Sequence, residues 1–217
     1  MATGADRSNA AGAIKKNIRV KATKFAGMNK SIACMILCAV VWMLLPAGLR
    51  GQQYVPAADG CRIEFKAVSH KDGEVIRGVL NSVKGKIIFD PKNVGAASFD
   101  INVGLAGITS GAAKINTELR KPAYFNPVKY PVIKIKSTSV KADGGSGVVY
   151  VMQGNLTIKD VTKPVHLQFT ASPMGGGYIF RGRLVVSKQA FNIGSKEDGI
   201  DDEVSVYIEV RALQSKK

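Results

Sequence analysis

The chain has 217 residues, with 31 Lys and Arg against 16 Asp and Glu, 46% hydrophobic and 7% aromatic residues, 23 Gly and 8 Pro. That is enough apolar material for one globular domain or a small pair, and it excludes intrinsic disorder, collagen and a coiled coil. With three cysteines in all, a disulfide-rich miniprotein is excluded as well.

The chain opens on residues 1–27, which carry Arg7, Lys15, Lys16, Arg19, Lys21 and Lys24 against Asp6, without apolar periodicity. They read as an N-terminal extension: either an overlong start ahead of Met28-Asn29-Lys30, or a basic targeting segment. The longest apolar run follows, fourteen residues from Ile32 to Leu45, between Lys30 and Pro46-Ala47-Gly48. A bilayer-spanning helix needs about 20 such residues. A basic start, a short apolar run and a small-residue exit are the layout of a secretory signal peptide. Residues 28–51 are therefore expected to be a signal peptide cut before Gln52, and 52–217 a protein exported to the periplasm or beyond. A buried helix of the mature fold and a membrane anchor are the competing readings of the same run.

Residues 52–217 keep 23 basic and 15 acidic residues, a net charge of +8, and one cysteine, Cys61, so no internal disulfide can form. The lysines stand singly along the chain. Nucleic-acid binding would want a clustered stripe with stacking aromatics, and there is none. The residual positive charge could favour an anionic lipid head group or transient contact with a membrane surface, but most of the lysines read as solvated faces.

From residue 60 onward the dominant period is two, which puts one face of a strand inside and the other in solvent. Cys61–Ala67, Val132–Ser139 and Val204–Ala212 alternate most clearly; Glu74–Leu80, Val83–Phe89, Ala97–Val103, Val148–Ile158, Val165–Ala171 and Tyr178–Val186 are further extended runs. Asp72-Gly73, Asp90-Pro91, Asp143–Gly147 and Gly175–Gly177 mark turns between them. Gly78 and Gly85 suggest that two of the runs form one long strand with a bend. Ser110–Lys121 breaks the pattern; it reads as a helical crossover N-capped by Ser110 and stopped by Pro122. The fold class expected is all-β, an antiparallel barrel of eight to nine strands with one short helix, since closure removes exposed sheet edges.

Catalytic motifs are lacking. Residues 52–217 hold two histidines, His70 and His166, with no HExxH, no paired-cysteine zinc spacing, no nucleophile elbow and no phosphate loop. His70 and His166 read as solvated, and Cys61 as a small buried apolar residue. Asp198, Asp201, Asp202 and Glu203 form a carboxylate cluster without calcium-loop spacing, and read as a solvated loop. No catalytic residue, metal or cofactor is expected.

Several ordered segments carry a resemblance. Gly154–Val165 (GNLTIKDVTKPV) is similar to the "G-x-L-T-I-K-x-V-T-K-P-V" stretch of the YceI-like, polyisoprenoid-binding proteins. Val185–Gly194 followed by Asp202-Glu203-Val204, and Tyr124-Phe125-Asn126 with Tyr130–Ile133, resemble two further segments of that family. The resemblance covers nearly all of 60–213. It departs where the family's helix carries an Asp and a His, here Asn116 and Glu118, and where a late-strand Arg is replaced by Ser187 or Lys188.

The resemblance implies a lipocalin-like barrel that sequesters a long isoprenoid lipid, a polyprenyl phosphate or a quinone. Burying one five-carbon unit contributes roughly 3 to 4 kcal/mol before ordering costs. The residues in the apolar phase are the candidate lining: Ile63 and Phe65, Phe99 and Ile101, Ile133 and Ile135. Leu167 and Phe169 continue it, with Val204, Val206 and Ile208 on the last run, while Leu119 and Phe125 would close one mouth. Expected partners are the isoprenoid lipid or quinone, a membrane surface and a second copy of the chain in a homodimer. Two other readings remain: a solid barrel acting as an envelope stress or protein-interaction module, and a barrel enzyme using Glu118, Lys188 or His70.

Overall fold

The structure, a computed structural model, describes residues 51–144 and 149–215. The extension read in 1–27 and, save Gly51, the targeting segment read in 28–51 lie outside the described residues. Ten strands appear in chain order: β1 (Gln52–Pro56), β2 (Arg62–Val68), β3 (Val75–Leu80), β4 (Val83–Phe89), β5 (Ser98–Gly104), β6 (Val132–Ala142), β7 (Val149–Ile158), β8 (Val161–Met174), β9 (Gly177–Ser187) and β10 (Glu203–Gln214). One α-helix, α1 (Ala113–Leu119), lies between β5 and β6.

Every strand pairing is antiparallel, in the order β1-β4-β5-β6-β7-β8-β9-β10-β2-β3. The barrel of β1 and β4 to β10 closes because β1 pairs with β4 on one side and with β10 on the other. Strand β10 has two partners along one edge: Ala212–Gln214 meets β1, while Ser205–Glu209 meets β2. Strands β2 and β3 thus form a flap that widens one end of the barrel.

The reversals sort into two ends. The β4–β5, β6–β7 and β8–β9 connections lie at a floor end, and the crossover with α1, the Lys159-Asp160 turn and segment 188–202 lie at a loop end. Aromatic rings fill the floor. Phe89, 1% exposed, meets Tyr150, Tyr178 and Phe180 edge-on at 5.2–5.3 Å. Phe99 and Phe169 pack beside Phe180 at 5.4 and 6.1 Å. Such pairs add about 0.5–1.5 kcal/mol each beyond their buried area.

Several expectations need correction. Helix α1 is seven residues, not the whole of Ser110–Lys121, because Gly111 turns the chain through φ +79°, outside any right-handed helix. Ser110 is not its N-cap; its N–H and hydroxyl both donate to Asn116 Oδ1, at 2.6 and 2.9 Å. The runs bearing Gly78 and Gly85 are two strands, parted at Asn81-Ser82, of which β3 joins the flap and β4 the barrel. Strand β1 was not expected, and β8 extends beyond Val165–Ala171 at both ends. Among the described residues no helix is long and apolar enough to cross a membrane.

Candidate functional site

The inward phase of the strands does not fill the barrel. Above the aromatic floor lies a cavity of about 370 Å³ with an almost wholly apolar wall. On β10 the inward residues Val204, Val206, Ile208 and Val210 border it; the six steps between the first and the last, at about 3.3 Å each, make about 20 Å of wall. Across the barrel, Ile133 and Ile135 of β6 and Leu156 and Ile158 of β7 form the opposite side, and Ile63 and Phe65 of β2 extend it into the flap. Phe99, Phe169 and Phe180 are its base.

All thirteen residues singled out from the sequence border this cavity: Ile63, Phe65, Phe99, Ile101, Leu119, Phe125, Ile133, Ile135, Leu167, Phe169, Val204, Val206 and Ile208. Phe125 and Leu119 are 9% and 8% exposed and form its roof with Ile115. The roof is tied down by Phe125 N–H donating to Leu119 O at 3.1 Å and by the Arg120 guanidinium reaching Ile108 O at 3.5 Å. The Phe65 ring lies 6.1 Å from that of Phe125 and covers the Cα of Gly78, where a Cβ would fall inside the ring. Gly78→Ala is expected to swing Phe65 out of place and cost about 1–3 kcal/mol of stability, checked by urea unfolding.

The sequence gives less warning of the polar group at the mouth. Lys188 is 4% exposed, and among the described residues it is the one charged side chain classed as buried. Its ammonium donates to Asp198 Oδ1 at 3.0 Å, to Asp198 Oδ2 at 2.9 Å and to Ser195 O at 2.9 Å. Asp198 also accepts the N–H groups of Ser195 and Ile200, at 3.2 and 3.0 Å. Burial pushes the Asp198 carboxyl up, but Lys188 and these two N–H groups outweigh it and hold the group below its ordinary range. Tyr124 beside them has its phenol raised, first by burial and then by the negative charges of Asp198 and Glu118.

Asp198 therefore does not belong to a solvated loop, as the sequence suggested. The other members of its cluster point elsewhere. Asp202 accepts from the Ser187 hydroxyl at 2.7 Å and Gln189 N–H at 2.8 Å, and Asp201 lies 2.9 Å from the exposed His70. A clue to Lys188 was available: it continues the inward phase of Leu184 and Val186, where a lysine must find a buried partner.

The three residues of the enzyme reading do not converge. Lys188 and Glu118 border the cavity, but the first is held by Asp198 and the second by Lys121 at 2.7 Å, while His70 is not on the cavity wall. Asn116 is held by Ser110 rather than presented to the cavity.

Residues 54–212 match the YceI-like domain. The chain belongs to the YceI-like family. Among curated relatives, a UPF0312 protein of Shewanella denitrificans is 31% identical over 142 residues, 65% of this chain and 72% of its own, and one of Yersinia pestis is 29% identical over 71% and 81%. The solved structure of BcnA from Burkholderia cenocepacia superposes on this YceI-like domain with TM-score 0.65 at 21% identity, covering 71% of this chain and 98% of BcnA. A polyisoprenoid-binding domain from Saccharophagus degradans, implicated in plant cell wall breakdown, gives TM-score 0.57 at 12% identity, over 76% and 99%. These likenesses give the fold of the YceI-like domain.

Proposed function

We propose that the protein is an exported, non-catalytic carrier that sequesters a long isoprenoid lipid in the barrel, with a quinone or another uncharged head group favoured over a polyprenyl phosphate. The observation that carries this reading is the apolar cavity between the aromatic floor and the α1 roof. An isoprenoid chain gains roughly 3 to 4 kcal/mol per five-carbon unit in such a wall before ordering costs. The Saccharophagus domain named for polyisoprenoid binding shares the fold.

The head-group preference rests on Lys188. Its ammonium already has three acceptor contacts on two residues, so its charge is spent inside the protein, and Glu118 at the same mouth, itself paired with Lys121, offers a phosphate no cation. Export is supported by the apolar run of residues 32–45. The hollow interior supports the carrier over the solid-barrel reading.

Native mass spectrometry of protein purified from its own host, followed by organic extraction, tests the proposal. A neutral prenyl species at about one per chain is the expected result. Protein that arrives empty and refuses an added ubiquinone would sink the carrier reading, and a bound polyprenyl phosphate would sink the head-group preference alone.

A further inference from the structure

Strands β8 and β9 are hydrogen-bonded from Met174–Gly177 up to Gln168–Arg183, and there the ladder stops. Both strands run on toward the loop end, β8 through residues 161–167 and β9 through 184–187, each held by its other neighbour. Pro164 sits within the unladdered part of β8, as a residue without an N–H can where one strand edge has no partner. Side chains close this seam instead of backbone bonds. Phe191, 2% exposed, lies in the 3-10 turn Gln189–Phe191, which packs against both strands. Leu167 on one lip and Leu184 and Val186 on the other border the cavity.

At the mouth, the Lys188–Asp198 pair closes the way. The floor is filled by rings. The gap beside β3 is spanned by Val79 and Thr109, which exchange two hydrogen bonds at 2.7 and 3.2 Å, and the roof has the ties described above. Two side chains fasten the tip of the β7–β8 hairpin: the Tyr130 hydroxyl donates to Asp160 Oδ2 at 3.2 Å on the β6 side, and Lys159 reaches across the seam. Lys159 Nζ donates to Asn192 O at 2.7 Å and to Pro122 O at 3.2 Å, from a backbone at φ +56°. One half-buried lysine thus pins the free end of β8 to the turn that plugs the seam and to the roof segment.

We propose that the β8–β9 seam is the lateral entrance of the lipid cavity and that Lys159 is its latch. The inference rests on the carrier reading. A lipid chain enters sideways between Leu167 and Leu184 when the hairpin tip lifts and Phe191 moves with its turn, so the wall need not unfold. A latch changes how often the seam opens and leaves the filled and empty end states alone, so uptake and release speed up together.

The test is stopped-flow fluorescence with N-phenyl-1-naphthylamine, a neutral apolar dye, on the wild type, Lys159→Asn, Lys159→Arg and Lys121→Ala. Asn accepts the left-handed backbone but cannot reach across. Lys159→Asn is expected to raise association and dissociation rates about tenfold each, the loss of about one net hydrogen bond, with Kd held within about twofold. Lys159→Arg should stay near wild type, and amide exchange in 161–167 and 184–187 should quicken in the Asn variant alone. Unchanged rates in Lys159→Asn, a raised Kd without faster association, or acceleration by Lys121→Ala at the roof would each overturn the seam entrance and leave the carrier reading standing. A wild type that takes up no dye would remove both.

Discussion

Replacing Asp198 with Asn is expected to destabilise the fold by about 3–5 kcal/mol at neutral pH, because it strands the Lys188 ammonium in a buried site without its counter-charge. The pair is well shielded, with side chains 5% and 10% exposed, so solvent cannot take over the role of the partner. Urea unfolding should show a lower midpoint at unchanged slope. The double variant Lys188→Met with Asp198→Asn should lose less than the two single losses combined, since neither charge is left alone. The pH dependence has a definite sign. The folded carboxyl titrates below its ordinary value of 3.8, so its contribution is complete above about pH 5 and drains away as pH falls through 3.8 and on through the folded value. Wild type and Asp198→Asn should therefore converge in acid. A difference under about 0.5 kcal/mol at pH 7, the size of an ordinary surface substitution, would mean that the pair is not buried in solution.

Filling the cavity should separate binding from stability. Ile135 on β6 and Ile208 on β10 lie on opposite sides of the barrel, four strands apart in the closed order. Tryptophan at both positions is expected to weaken isoprenoid uptake at least about a hundredfold, since several buried carbons at about 0.8 kcal/mol each are displaced. In a close-packed core such additions cost about 1–3 kcal/mol apiece. Here the rings have space, and the total change in unfolding free energy should remain below the cost of a single overpacked site. Titration with a short-chain ubiquinone and urea unfolding give the two readouts. Unchanged affinity would place the lipid elsewhere, and a loss of several kcal/mol would mean that the interior is packed rather than hollow.

The wall of this site was readable because burial on one face imposes a period of two. Val204, Val206 and Ile208 could be assigned to the interior before any coordinates, as could Ile133 and Ile135, and the structure places them on the cavity. Alternation says which residues point inward, but not whether they meet across the barrel, so the hollow itself was invisible. Strand β1 escaped notice because Gln52–Pro56 is short and its register depends on partners 33 or more residues away, Phe89 on β4 and Gln214 on β10. The Lys188–Asp198 pair joins a strand end to a loop ten residues on, a contact made by the turn between them, which no periodicity encodes. Pro164 marks where β8 lacks a second neighbour, a meaning that only the strand order supplies.

The double partnership of β10 bears on how the chain acquires its shape. The closing ladder joins Tyr54 to Gln214, the two most distant stretches of the described sequence, and the same strand must also seat the flap and complete the β9 ladder. Loop-closure entropy for that contact is incurred before most of its reward arrives, which slows folding relative to a domain built from local contacts. Until the C-terminal strand is synthesised, β1, β2 and β9 all wait with open edges, and no subset of the chain makes a closed barrel. A polypeptide with this wiring cannot close its barrel until its synthesis is nearly complete, which suits the threading that the export proposed here requires.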